Sequence, residues 1–222
     1  MGLTEELQDT AGDEAPVPLP SIFTATLLHP SMEDPVLLRP IELKDIPSAA
    51  ALLSDAFHPS HSWLSWAAPI LKLGIYQDLR SRYLMPPPQY ACFVAVKVVR
   101  NNPTVVGTVE VAAKSIFSWG TNSLPILYIS NLAVARSMRR QGVGRQLLLA
   151  CEQIVRTWGG NELYLHVQGE NQAARSLYAR TGYQLYRAEV PVLARLLGHP
   201  QQLLLRKVLQ PQERMFVEHH RG

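Results

Sequence analysis

The stretch Arg139-Arg140-Gln141-Gly142-Val143-Gly144 decides how this chain is read. It lies between an apolar run, Pro125 to Val134, and the segment Arg145 to Trp158, whose apolar residues recur at helical spacing and which stops at Gly159-Gly160. A strand that turns through two glycines into a helix presents unpaired backbone N–H groups at the helix start, and such a start binds anions. The glycines let the backbone come close to a ligand without a Cβ in the way. Arg139, Arg140 and Arg145 add charge at the positive end of the helix dipole. A pyrophosphate is the expected guest.

Three other readings of the segment compete. A Walker A loop requires Gly-x-x-x-x-Gly-Lys-Ser/Thr, and no Lys-Ser/Thr pair follows here. A dinucleotide fingerprint requires a third Gly or Ala where Leu147 stands, in a βαβ setting that antiparallel-looking strands do not provide. A glycine-rich helix start with solvated arginines and no ligand stays open on the segment alone.

Outward from the turn, Val36 to Pro40 reads as a strand and Ile46 to Phe57 as a helix, with Asp45 as its N-cap and Pro47 in its first turn. His58 to Met85 reads as one or two helices, rich in Trp63, Trp66, Ile70, Leu73, Ile75 and Tyr76 and closed by Pro86-Pro87-Pro88. The period then becomes that of strands: Tyr90 to Val99, a turn at Asn101-Asn102-Pro103, Val105 to Ala112, and, past a loop around Gly120, Pro125 to Val134. Beyond the glycine helix come a strand, Glu162 to Val167, a helix, Asn171 to Arg180, stopped by Gly182, and strands Tyr183 to Glu189 and Leu203 to Val208. That order is α+β (mixed α/β), with a sheet of about six to seven strands.

With 222 residues, 47% of them apolar, the chain has material for one core. The reading is an acidic, proline-rich tail over residues 1–33, one domain over 34–209 and a short tail over 210–222. No apolar run reaches the ~18 residues of a membrane span, so no membrane is expected. The formal charge of +3 without a long basic run speaks against nucleic acid. Cys92 and Cys151 stand in no metal or redox spacing and read as buried thiols, and no metal is expected. His58, His61, His219 and His220 have no partner spacing. The N-terminus has neither signal-peptide nor transit-peptide character, from which a bacterial cytoplasm, a cyanobacterial one included, is expected, with the plastid stroma as the alternative.

The segment resembles the Arg/Gln-x-x-Gly-x-Gly/Ala pyrophosphate motif of the GNAT superfamily of acetyl-CoA-dependent N-acetyltransferases, matching it at Arg139, Gly142 and Gly144. Asn131-Leu132-Ala133-Val134 is similar to that family's central strand. Asn171-x-x-Ala174-x-x-x-Tyr178-x-x-x-Gly182-Tyr183 is similar to its second signature. The resemblance runs from about Val36 to Val208. It implies the GNAT fold, a mixed, mostly antiparallel sheet flanked by helices, and acetyl-CoA as co-substrate. It further implies that Leu132, Ala133 and Val134 pair with the pantetheine arm, the Leu132 N–H facing the thioester carbonyl. Arg139, Arg140, Gln141, Gly142, Val143, Gly144 and Arg145 would hold the pyrophosphate, with Asn171, Ala174 and Tyr178 also against the coenzyme.

The same resemblance implies direct attack of a neutral amine on the thioester, with Tyr178 as the acid that protonates the departing thiolate. The strand Leu163-Tyr164-Leu165-His166-Val167-Gln168 resembles that of the NatE-type N-terminal acetyltransferase subunit, which implies His166 as base, working with Tyr128 through a water. The bacterial ribosomal-protein alanine acetyltransferase carries a glutamate where His166 stands. Histidine suits the task, its ordinary pKa of ~6.5 leaving it mostly neutral at pH 7. Glu110 is the rival base, or else a strand residue facing solvent.

A polypeptide α-amine costs about 1 kcal/mol to neutralise at pH 7 and a lysine about 4.6. A modest base therefore favours α-amines of proteins or peptides as acceptors, with lysine as a further acceptor. The overall look, including the insertion His58 to Pro88, is similar to plastid and cyanobacterial GNATs, which implies both. The alternatives are a small-molecule amine, such as a polyamine, amino acid or antibiotic, and a non-catalytic acetyl-CoA-binding module. The oligomeric state is not legible.

Overall fold

In the computed structural model the described residues are 24–27, 35–57, 68–85, 90–99, 102–115, 125–189 and 201–210. Among the described residues eight strands form one sheet: β1 (Ala25–Leu27), β2 (Val36–Pro40), β3 (Tyr90–Val99), β4 (Asn102–Ser115), β5 (Pro125–Val134), β6 (Glu162–Gln168), β7 (Gln184–Glu189) and β8 (Gln202–Val208). Their order across the sheet is β1-β2-β3-β4-β5-β6-β8-β7. All neighbours run antiparallel except β5 and β6. Among the same residues four α-helices flank it: α1 (Ile46–Phe57), α2 (Ala68–Tyr83), α3 (Val143–Thr157) and α4 (Gln172–Arg180).

Helices cover both faces of β3, which is why it reads as a nearly unbroken apolar run. Ala91, Phe93 and Ala95 join the cluster that holds Leu147, Leu148, Cys151 and Ile154 of α3. Tyr90, Cys92, Val94 and Val96 point the other way, to Ile46, Ala49, Leu53 and Leu79 of α1 and α2. In α3 the buried positions recur three and four apart, so its stripe lies along the sheet. Both cysteines are buried and free.

The structure corrects several expectations. The sheet has an eighth strand, β1, which pairs Ala25 with Leu38 inside the stretch read as a tail. Asp45 does not cap α1. It ends a 3-10 turn, Leu43–Asp45, and its carboxylate accepts from the Glu42 backbone N–H at 2.8 Å and from the Arg39 guanidinium at 2.6 and 3.0 Å. A short turn with its own capping box takes the carboxylate that the helix was expected to use. β4 starts at Asn102, within the expected turn, and α3 starts at Val143 rather than Arg145. The tryptophans at 63 and 66, the prolines at 86–88 and four of the histidines singled out above, at 58, 61, 219 and 220, fall outside the described residues.

Candidate active site

Between β5 and α3 the chain makes a 3-10 turn, Arg136–Met138, and then winds tightly, with φ +66° at Arg140 and +81° at Gly142. Gly142 is the N-cap of α3 and supplies no side-chain cap, so the first amides of this 15-residue helix depend on another acceptor. The turn is held from within: Arg139 Nε donates to the Val134 carbonyl at 3.1 Å, and Gln141 Nε2 to the Ser137 carbonyl at 3.1 Å. Arg140 and Arg145 are exposed beside it. A Cβ on Gly144 would lie 3.2 Å from Leu177 Cδ2 and 3.7 Å from Val134 Cγ2, so a bare backbone keeps the passage between the end of β5 and α4 open. A doubly charged diphosphate fits this donor set.

β5 and β6 pair at Tyr128 and Tyr164, and among the described residues no further pair continues toward their C-terminal ends. Leu132, Ala133 and Val134 lie beyond that pair, with Ala133 and Val134 bonded on the other side to Thr108 and Gly107 of β4. The backbone groups of these residues that face β6 therefore have no strand to satisfy them. A bulge at this point, where the register shifts between Thr108 and Glu110, puts Asn131 at φ +53°. The gap thus leads from the aromatic residues of β5 to the glycine turn.

At its near end stand two of the expected catalytic residues. The Tyr128 hydroxyl lies 2.8 Å from His166 Nδ1 and also accepts the His166 backbone N–H at 3.2 Å. With Nδ1 unprotonated the phenol donates to it, which leaves the proton of the neutral ring on Nε2. Lys114 Nζ sits 4.4 Å from the Tyr128 ring centre. Tyr178, on α4, is buried and packs edge-on against Tyr183 at 5.9 Å. Burial, and secondarily the neighbouring Tyr128, push its phenol up to about 12. Asn171 caps α4, its side-chain oxygen accepting from Ala174 N–H at 3.1 Å, so both serve the helix start as well.

Glu110 does not face solvent. It is 0% exposed, accepting from Arg82 Nη1 at 2.5 Å and from Asn131 Nδ2 at 2.6 Å. Sequence reading missed Arg82, whose only local signal is Asp78 four residues earlier on α2, and Lys114, which shares a sheet face with Tyr128. Among the described residues no group of three His, Cys, Asp or Glu side chains comes together as a metal site. Burial pushes both cysteine thiols up, away from nucleophilic thiolate.

This turn, gap and aromatic pair lie within residues 55–183, which match the acetyltransferase (GNAT) family, and the chain belongs to that family. It is 30% identical over 164 residues to GCN5-related N-acetyltransferase 10, chloroplastic, of Arabidopsis thaliana, covering 71% of this chain and 60% of that one. GCN5-related N-acetyltransferase 7, chloroplastic, of the same plant is 41% identical over 78 residues, 35% of this chain and 28% of that one. The chain thus spans less than two thirds of the length of the curated relatives it matches first. Among solved structures, the NatC complex bound to Gag peptide and CoA has a chain that superposes with a TM-score of 0.55 at 17% identity, over 79% of this chain and 99% of that one. At that identity the likeness concerns the fold.

Proposed function

We propose that this protein transfers acetyl from acetyl-CoA to a primary amine by direct attack, and that the acceptor is the α-amine of a protein or peptide, with lysine ε-amines as slower acceptors. The observation that carries this reading is the Tyr128–His166 contact at the mouth of a gap that ends on an uncapped, glycine-wound helix start. Acetyl-CoA, when bound, supplies an acyl carbon already activated as a thioester. The amides opening α3 hold its diphosphate, and the backbone groups of Leu132 to Val134 that face the gap, apart from the Val134 carbonyl engaged by Arg139, hold its arm. The Leu132 N–H serves as donor to the carbonyl oxygen as charge develops there.

His166 accepts at Nδ1, through the Tyr128 phenol, the proton that the incoming ammonium must lose: the hydroxyl passes its own proton to Nδ1 as it takes one from the amine, directly or through water. Tyr178 attends to the sulfur. A phenol near 12 gives its proton to a thiolate of ordinary pKa ~8.5 only uphill, by about 5 kcal/mol. Burial raises a thiol in the same pocket as well, as it does Cys92, and so narrows that gap. Tyr178 therefore begins as a hydrogen-bond donor to the developing thiolate and completes the transfer as the C–S bond breaks.

The acceptor preference rests on the size of the proton problem. An α-amine needs about 1 kcal/mol of neutralisation and a lysine about 4.6, and a single histidine is matched to the first. Lys114 beside Tyr128 repels a polycation and disfavours a polyamine. The NatC structure, which holds a peptide and CoA in the same fold, supports a peptide reading. The names of the plant relatives favour the plastid over a bacterial cytoplasm as the site of action. The test is mass spectrometry of peptides with free or blocked N-termini incubated with protein and acetyl-CoA. Product on free N-termini is expected; product confined to internal lysines of either set would reject the α-amine preference.

A further inference from the structure

Glu110 is a fully buried carboxylate that the reaction above does not use, and its two oxygens have different owners. Oε2 takes the Arg82 guanidinium at 2.5 Å, and Oε1 takes the Asn131 amide at 2.6 Å. Arg82 belongs to α2 and is tied on that helix to Asp78, its Nε 3.1 Å from Oδ1 and its second nitrogen on Oδ2. Asn131 is the residue of the β5 bulge held at φ +53°, one position before Leu132. Asparagine enters that region more readily than other side chains, and here its amide is also tied to Glu110. Beside the carboxylate lie two further buried hydroxyls: that of Tyr90, close to the Cys92 thiol, and that of Ser130, directly across the ladder from Glu110.

A base must reach the substrate proton, and a carboxylate with no exposure and both oxygens engaged does not. We propose that Glu110 is a positioning residue that acts through Arg82 and Asn131, registering α2 against the β5 bulge so that one carboxylate sets both the acceptor side and the coenzyme side of the gap. The acceptor side is that of α1 and α2, because Ala112, across the ladder from Tyr128, packs in their cluster. The proposal rests on the acetyl-transfer reading.

The two arms separate by mutation. In Glu110→Gln the amide oxygen still accepts from Asn131, while its NH2 meets the Arg82 donors, so only the α2 arm is broken. The expected result is an acceptor KM about 10-fold higher, a CoA dissociation constant within about two-fold of wild type by calorimetry, and a rising limb of kcat with pH that is kept. Asn131→Ala breaks the other arm and is expected to weaken CoA about 10-fold with the acceptor KM nearly unmoved. If Glu110→Gln does not fold, Arg82→Lys carries the same test, since it keeps the charge but cannot bridge Asp78 and Glu110 together.

Loss of about 100-fold in kcat together with loss of the rising limb in Glu110→Gln would make Glu110 the base and overturn the proposal. So would KM values that move together in both variants, or not at all. A wild-type protein that binds CoA but transfers no acetyl rejects the enzymatic reading instead, and the CoA arm of Asn131→Ala still tests the hold on the bulge.

Discussion

Tyr128 and His166 stand 38 residues apart in the chain and on adjacent strands, yet the phenol oxygen lies 2.8 Å from the imidazole Nδ1. The backbone N–H of the same histidine reaches that oxygen at 3.2 Å, so the tyrosine fixes both the ring and its strand. A pair built this way acts as a unit. His166→Gln is expected to lower kcat about 10² to 10³-fold and Tyr128→Phe about 10 to 10²-fold. The double variant should lose little more than His166→Gln alone, because the two share one function. Steady-state rates at saturating acetyl-CoA check this; multiplicative losses would separate the two roles.

Tyr178 makes a different prediction. With its phenol pushed up to about 12, it stays protonated over the whole assay range, so no falling limb of kcat below about pH 10 belongs to it. Tyr178→Phe should cut kcat about 10² to 10³-fold while the CoA dissociation constant, read by calorimetry, stays within about two-fold. A variant with undiminished turnover removes Tyr178 from the chemistry and leaves it a packing residue against Tyr183.

The glycine turn separates backbone geometry from space. Gly142 has φ +81°, and a Cβ added there would meet nothing within 4 Å, so Gly142→Ala suffers only conformational strain, about 1 kcal/mol. Gly144 has ordinary φ but Leu177 at 3.2 Å, so Gly144→Val forces side chains into the passage. CoA affinity should fall about 5-fold in the first and more than 10-fold in the second. Equal affinity in all three proteins would mean that the diphosphate is held elsewhere.

How much of this is legible in the chain follows from how local each feature is. The turn, α3 and the strands around them are written in contiguous residues, in glycine placement and in apolar period, and their bounds can be read to within a few positions. Tyr128, His166 and Tyr178 are legible only through likeness to family motifs, since nothing in their spacing alone brings β5, β6 and α4 together. The Arg82–Glu110 pair joins residues 28 apart across a helix and a strand. An alternating strand predicts only that Glu110 lies on one face, not that the face is covered. β1, three residues long, is defined by its partner β2 rather than by any period of its own. Asp45 misleads because the same carboxylate suits a helix start and the 3-10 turn just before it.

On the α3 face lies a second buried pair, one that the proposed reaction does not use. Lys207 of β8 reaches Glu152 of α3 at 2.7 Å, and Glu152 is 2% exposed. Its partner also lies 5.6 Å from the Tyr183 ring centre. Lys207→Met strands a charge in an apolar layer, and the expected loss is about 3 kcal/mol, seen as a lower denaturation midpoint at pH 7. Lys207→Met combined with Glu152→Leu should recover most of that loss, because an apolar pair of similar volume suits the site. A single variant as stable as wild type would show that water reaches the carboxylate.

Alkaline unfolding tests the environment of Tyr178 without any assay of activity. Its folded phenol titrates near 12 against an ordinary value of 10, chiefly because burial penalises the anion. Between those two values the unfolded chain gives up the proton while the folded one keeps it, so stability is intact below pH 10 and falls as pH rises toward 12. The contribution of this one group is at most about 2 to 3 kcal/mol. Tyr178→Phe removes the proton and should flatten that part of the curve, which denaturant titrations at pH 9, 10 and 11 will read as a smaller drop than in wild type. A variant whose stability falls as steeply as the parent's would place the Tyr178 hydroxyl in contact with water rather than buried against Tyr183.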